Sequence, residues 1–303
     1  MHMTNTRTIV ASVLGFLVVA TASPAFAQTP PNVPLGANTS ENWSGYVATG
    51  STYTDVQGSW VVAASSVSNS SSADATWVGI GGVRSNDLIQ AGTQALVQNG
   101  SVAYESWYEL LPNYQVQIPV TIRSGDTVSV SINETSANVW QISFTDTTTG
   151  SAYSTSVDYD SSLSSAEWIE EMPIGESGNS VNYLPLDAFG SVAFSNGYTI
   201  ANGVNESIAA SGALPLTMAT ESSVVLASPS ALGADGASFS VVRSNAVVNV
   251  LQPGTGFGWR RNGNGMQGYV GYSVSYHGRY MRQRNVTIGS AQGGGMRFEY
   301  IRL

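Results

Sequence analysis

The chain has 303 residues, a formal net charge of −9 and no cysteine, which excludes a disulfide framework and thiol catalysis. All eleven basic residues are arginine and the only histidines are His2 and His277. Lysine-dependent P-loop and Schiff-base chemistry are therefore excluded, a His/Cys zinc site lacks ligands, and a Ser-His-Asp triad would have to use His277. Carboxylates, amides and hydroxyls remain as catalysts.

In chain order, residues 1–27 read as a secretory signal: Arg7, the apolar run Ile9–Ala20, and the small-residue pattern Ala25-Phe26-Ala27. A run of about 12 apolar residues falls short of the roughly 20 that span a bilayer, so a secreted protein without membrane association is expected. Residues 28–40, with three prolines, read as a linker.

From Glu41 the pattern has period two, with Gly, Asn, Asp and Ser between the runs. Val128, Val130 and Ile132 give Gly125–Ile132 one apolar face; Trp140, Ile142 and Phe144 do the same for Val139–Phe144. Thr145–Ser151 is the expected turn into a strand at Tyr153–Tyr159. Short strands at close spacing predict an all-β sandwich or barrel.

Charge sets the boundaries. Residues 28–242 hold nineteen acidic residues against Arg84 and Arg123, whereas residues 243–303 hold eight arginines against Glu299. The expected organisation is an acidic main domain, 41–242, followed by a basic, Gly-rich extension, 243–303, suited to an anionic partner or to the acidic domain itself. Carboxylates crowded by like charge hold their protons more tightly when folded, which predicts tolerance of acid.

Several motifs fail on their residues. Asp-Thr/Ser-Gly and Gly-x-Ser-x-Gly do not occur, and Gly263–Gly268, although G-x-G-x-x-G, opens a strand-like run rather than a helix. His277 lies among arginines with no acidic residue near in sequence. Glycosidase chemistry needs two carboxyls about 5–9.5 Å apart. Glu105 and Glu109, or Glu167 and Glu171, lie about 13 Å apart along a strand, and Asp158/Asp160 sit at a strand end where a turn role is expected.

Four clusters remain: Asn42-Trp43-Ser44-Gly45-Tyr46; Thr76–Gly82 with Asp87–Thr93; Glu105–Pro112; and Ala166–Glu171. In this order they resemble the glutamic peptidases, the eqolisin family of acid endopeptidases, with its N-W-[SG]-G, W-V-G-I-[DG]-G, L-Q-[TA]-G, W-Y-E-x-x-P and A-E-[WF]-I-x-E segments. Leu184-Pro185, Phe189, Val192 and Phe194 continue the match, as do Leu226–Leu232. The resemblance implies a β-sandwich of two seven-stranded antiparallel sheets, of concanavalin A-like or jelly-roll kind.

It further implies a catalytic pair, Gln90 and Glu167, with Trp77, Trp107 and Glu109 lining the substrate cleft. Glu167, ionised at rest, would activate water and return its proton to the leaving nitrogen; Gln90 would stabilise the tetrahedral oxyanion. Glu170 and Glu171 would add negative field. Proteins or peptides would be the substrates of a pepstatin-insensitive, monomeric enzyme with no cofactor, metal or nucleic-acid partner. Two departures stand out: Gly81 replaces the aspartate usual in G-I-D-G, and the extension matches nothing in the family. The alternatives are a non-catalytic module binding glycan or protein, and a glycosidase.

Overall fold

The computed structural model describes residues 39–66, 71–83, 85–177, 180–220 and 224–244, and backbone strands between 258 and 290. The signal pattern of 1–27, nearly all of the 28–40 linker and His277 lie outside the described residues.

The strands run in chain order as β1 (Thr39–Ser40), β2 (Trp43–Thr49), β3 (Tyr53–Val61), β4 (Ser72–Gly81), β5 (Leu88–Gln98), β6 (Ser101–Leu110), β7 (Val116–Gln117), β8 (Thr127–Ser136) and β9 (Val139–Asp146). They continue as β10 (Ser151–Asp158), β11 (Ser165–Glu171), the hairpin β12 (Ile174–Ser177) and β13 (Ser180–Tyr183), β14 (Ser191–Ala201), β15 (Val204–Ser207), β16 (Leu214–Ala219), β17 (Val225–Pro229) and β18 (Phe239–Arg243). No helix occurs among the described residues.

Two sheets form, in the orders β10-β9-β8-β3-β14-β18-β17-β16 and β16-β2-β11-β4-β5-β6-β7. They share β16: Leu214–Leu216 pairs with β2, while Met218 and Ala219 pair with β17 across a register shift. Neighbours along this path are antiparallel, and the short β1 joins β16 in parallel. The fold is the expected all-β sandwich.

Alternation explains which face goes inside. In β8, Val128, Val130 and Ile132 are buried, and in β9 Trp140, Ile142 and Phe144 are fully buried. They meet Ile80, Trp60, Trp168 and Phe194 between the sheets, where Phe194 and Phe239 stack with ring centroids 4.6 Å apart. The structure carries β8 on to Ser136 and tightens the following turn. Asp146 Oδ1 accepts from Thr148 and Thr149 backbone N–H groups, an Asx arrangement that reverses the chain before Gly150 at φ 78°.

A second apolar layer covers the other face of the β2–β7 sheet. It contains Trp43, Trp77, Leu88, Trp107, Leu111, Ile169 and Leu216, with Trp43 and Trp77 edge-to-face at 4.8 Å. Further along, Gly258–Asn262, Gly265–Tyr272 and Arg284–Ser290 form a three-stranded antiparallel sheet. Gly265–Gly268, the described part of the G-x-G-x-x-G segment, lies in the second of these strands.

Candidate active site

Register brings the candidate residues together. Val47, Glu167, Gly79, Gln90 and Glu109 form one cross-strand row over β2, β11, β4, β5 and β6. Directly paired residues project from the same face, so Gln90 and Glu167 share a face with only Gly79 between them. Two strand spacings put their backbones about 9–10 Å apart, a gap that two long side chains can close upon a bound group. The next row on that face holds Ile169, Trp77, Gly92 and Trp107, and the one beyond holds Trp43, Glu171, Ala75, Gln94 and Glu105.

The site is enclosed. Gln90, Glu167 and Trp77 are 0% exposed, and Trp107 and Glu109 are 1% exposed. Apolar neighbours such as Leu88 pack against the same face, and Leu88 Cδ1 would lie 3.0 Å from a Cβ on Gly79.

Glycine makes room for the indole. A Cβ on Gly92 would stand 2.1 Å from Thr76 O and 2.6 Å from Trp77 Cβ, and one on Gly79 would stand 2.9 Å from Trp77 Cζ3. The Trp77 ring therefore lies along β4 toward the Gln90–Glu167 row. Its Nε1 donates to Glu171 Oε2 at 2.7 Å, and Asn42 Nδ2 donates to Glu171 Oε1 at 2.9 Å. One carboxylate thus ties the start of β2 to β4 and β11. Sequence reading gave Glu171 a field role and gave Asn42 none. The signal was the recurrence of both residues in the motifs, without any indication of a shared bond.

Gln90 Nε2 donates to Glu109 Oε2 at 2.6 Å, leaving its second N–H and its buried Oε1 without a protein partner. Glu109, expected as a cleft residue, thereby holds the Gln90 amide. Burial pushes the Glu109 carboxyl up to about 8, opposed by the Gln90 bond and reinforced by the charge of Glu171. Farther along the same strands, Gln94 Nε2 donates to Glu105 Oε2 at 2.8 Å.

Both carboxyl oxygens of Glu167 are buried and accept no hydrogen bond of normal geometry. Burial raises its pKa well above the usual carboxylate range; the neighbouring Ser165 hydroxyl offsets part of this, and the charge of Asp87 adds to it. In acid, therefore, Glu167 carries its proton in this arrangement. Desolvation disfavours the charged form, so burial works against the ionised resting base expected from the sequence.

Glu170 does not join the site. It pairs with Thr76 and Ser44 and so projects from the opposite face, into the sandwich. There Thr76 Oγ1 donates to its Oε2 at 2.6 Å, and Asp74 faces it. Burial raises Asp74 to about 8, with Asp187 adding to the rise; burial likewise raises Glu170 well above the usual range, reinforced by Asp74.

The glycosidase candidates separate. Asp158 and Asp160 are exposed on the other sheet's edge, while Tyr159 between them turns inward, accepting from Leu88 N at 2.7 Å and donating to Leu111 O at 2.8 Å. Gly81 stands where the resemblance expected an aspartate, at φ 94°. A Cβ there would lie 2.6 Å from Asp87 O and 2.9 Å from Asp87 Oδ2.

The fold and the row define a two-sheet β protein with a carboxamide and a carboxyl enclosed on one face. Residues 41–241 match the peptidase A4 family, and the chain belongs to that family. It is 30% identical over 189 residues to aspergillopepsin-2 of Aspergillus niger, covering 54% of this chain and 66% of that protein. It is 29% identical over 161 residues to scytalidopepsin B of Scytalidium lignicola, covering 50% of this chain and 60% of that protein. The matches thus span less than two thirds of these relatives' length. In structure it resembles scytalido-glutamic peptidase with a peptide-based transition state analogue, at TM-score 0.59 and 24% identity, over 67% of this chain and 98% of the other. It also resembles aspergilloglutamic peptidase from Aspergillus niger, at TM-score 0.50 and 27% identity, over 57% and 99%.

Proposed function

We propose that the protein is a glutamic-type endopeptidase that hydrolyses peptide bonds in acid through Glu167 and Gln90. The observation that carries this reading is the single row in which Gln90 and Glu167 share one face across Gly79, with both Glu167 oxygens unpartnered. Family membership supports the reaction class.

A protonated carboxyl with two free oxygens can accept at one and donate from the other. Water attacks the peptide carbonyl carbon, and its proton passes to the unprotonated oxygen of Glu167. The proton already on Glu167 passes to the peptide oxygen, giving a neutral tetrahedral diol. The second N–H of Gln90 donates to that oxygen as charge develops; an amide so placed is worth about 10²–10³ in rate. The diol then returns a hydroxyl proton to Glu167 while Glu167 protonates the nitrogen. The C–N bond breaks, and the carboxyl is restored. Glu109 keeps the Gln90 amide in place, and Trp77 and Trp107 offer apolar surface to the substrate's side chains.

Residues 1–27 as a signal, 28–40 as a linker, 41–242 as the catalytic domain and 243–303 as an extension complete the proposal: a secreted, monomeric enzyme acting on proteins or peptides. The test is digestion of denatured casein between pH 2 and pH 8, with pepstatin present. Cleavage that is strongest in acid and unaffected by pepstatin is expected. Secretion without proteolysis at any pH would overturn the reading in favour of a binding module.

A further inference from the structure

Asp87 ends the connection from β4 to β5 and is half-buried; its carboxylate lies against Gly81, two residues along β4 and on the same face as Gly79, which pairs with Glu167. Its Oδ2 accepts from Ser162 N at 2.7 Å and from Ser161 Oγ at 3.2 Å, which fixes the carboxylate against the turn leading into β11. On its other side is Gly81, which pairs with Leu88 in β4–β5. The space a side chain at position 81 would enter is filled by the backbone and carboxylate of Asp87, so a carboxylate can be placed here from 81 or from 87 but not from both. The chain has glycine at 81, and Gly81 and Gly82, both at positive φ, turn the connection back over the sheet.

We propose that Asp87 is a positioning residue of the Glu167 centre: its carboxylate, anchored by Ser161 and Ser162, occupies the space Gly81 leaves and holds the proton on Glu167 through its field. This rests on Glu167 as the working acid and base. The groups facing Glu167 limit the alternatives. From β11 itself come Ser165 and, two rows along, Glu171, whose carboxylate is tied to Trp77 and Asn42. Across β4 stand Gln90 and Glu109, bonded to each other, while β2 contributes apolar Val47. Tyr53, at the start of β3, is near enough for the charge of Glu167 to raise its pKa. Arg84, in the same connection as Asp87, lies outside the described residues. Among these groups, Asp87 is the carboxylate that the Gly81 contact places one row from Glu167 on the same face, and its charge adds to the rise that burial gives Glu167. The same charge raises Tyr159, whose hydroxyl bridges Leu88 and Leu111 and which burial has already pushed up.

The experiment compares pH profiles of kcat/KM for the full chain and for Asp87→Asn, which keeps an acceptor for Ser162 N but removes the charge. A shift of the neutral-side limb toward acid by about 0.5–1 pH unit is expected, with kcat at pH 3 within about twofold and an unchanged Tm. Superposable profiles would overturn the proposal. Carbon-13 NMR titration of the Glu167 carboxyl in both proteins gives the same answer without activity, and Asp87→Glu should restore the limb if the variant lacking charge folds poorly. If Glu167→Gln stays active, the catalytic reading fails instead, whatever Asp87 does.

Discussion

Gln90 and Glu167 lie in the same cross-strand row, on the same face, separated only by the backbone of Gly79. Ninety percent or more of ordinary buried polar groups find partners, yet Gln90 Oε1 and both oxygens of Glu167 have none in the protein. A glycine thus stands between a buried carboxamide and a buried carboxyl on one face of the sheet.

The proposed function gives the space at Gly79 a use, whereas the space at Gly92 is required by packing alone. Gly92→Ala drives a Cβ to 2.1 Å from the Thr76 carbonyl, where no rotamer relieves it, and is expected to cost about 3–5 kcal/mol. Gly79→Ala meets the rim of the Trp77 ring at 2.9 Å, costs about 1–3 kcal/mol, and narrows the gap between Gln90 and Glu167. Urea titration should separate the two variants by stability, and kcat of the surviving Gly79→Ala protein should fall more than its stability explains.

Glu171 is predicted to act through Trp77. Glu171→Ala leaves the Asn42 amide and the Trp77 indole N–H buried without their acceptor, a loss of about 2–5 kcal/mol. In the variant that remains folded, KM should rise more than kcat falls, because the indole loses its anchor while the Gln90–Glu109 bond keeps both its partners. An equal fall in kcat with unchanged KM would place Glu171 in the chemistry.

Stability should fall as pH rises. Asp74 and Glu170, buried inside the sandwich, hold protons in the folded chain that the unfolded chain releases. The folded state therefore binds more protons, and stability declines with pH. For Asp74 the stabilisation is complete below its ordinary value of 3.8 and is lost as pH rises through about 8. Each kcal/mol lost over that range lowers Tm by roughly 2–4 °C for a domain of this size. Calorimetry at pH 4 and pH 8 checks it, and Asp74→Asn should flatten the slope; a Tm that is level or rises toward pH 8 would contradict the assignment.

The strands were readable because one-sided burial imposes alternation, as Val128, Val130 and Ile132 show. Nineteen acidic residues with two arginines point to like-charge repulsion as the cause of raised carboxyl pKa values; for Asp74 and Glu170 the larger cause is burial, with like-charge repulsion second. Sequence cannot report that difference, because it depends on which face a residue takes. Glu170 and Glu171 illustrate the point. They are adjacent, but period two sends one into the sandwich and the other toward Trp77. The motifs supplied Gln90, Glu109 and Glu167; that Glu109 bonds Gln90, and that Asp87 fills the space beside Gly81, follow from strand register and loop path, which no spacing along the chain encodes.

The most direct measurement is casein cleavage at pH 3–4 by Gln90→Ala and Glu167→Gln, each compared with the unmodified chain and checked by thermal melt. Glu167→Gln should abolish turnover and Gln90→Ala should lower it by about 10²–10³ or more, with both melts close to that of the parent. Near-normal turnover by either folded variant would contradict the account.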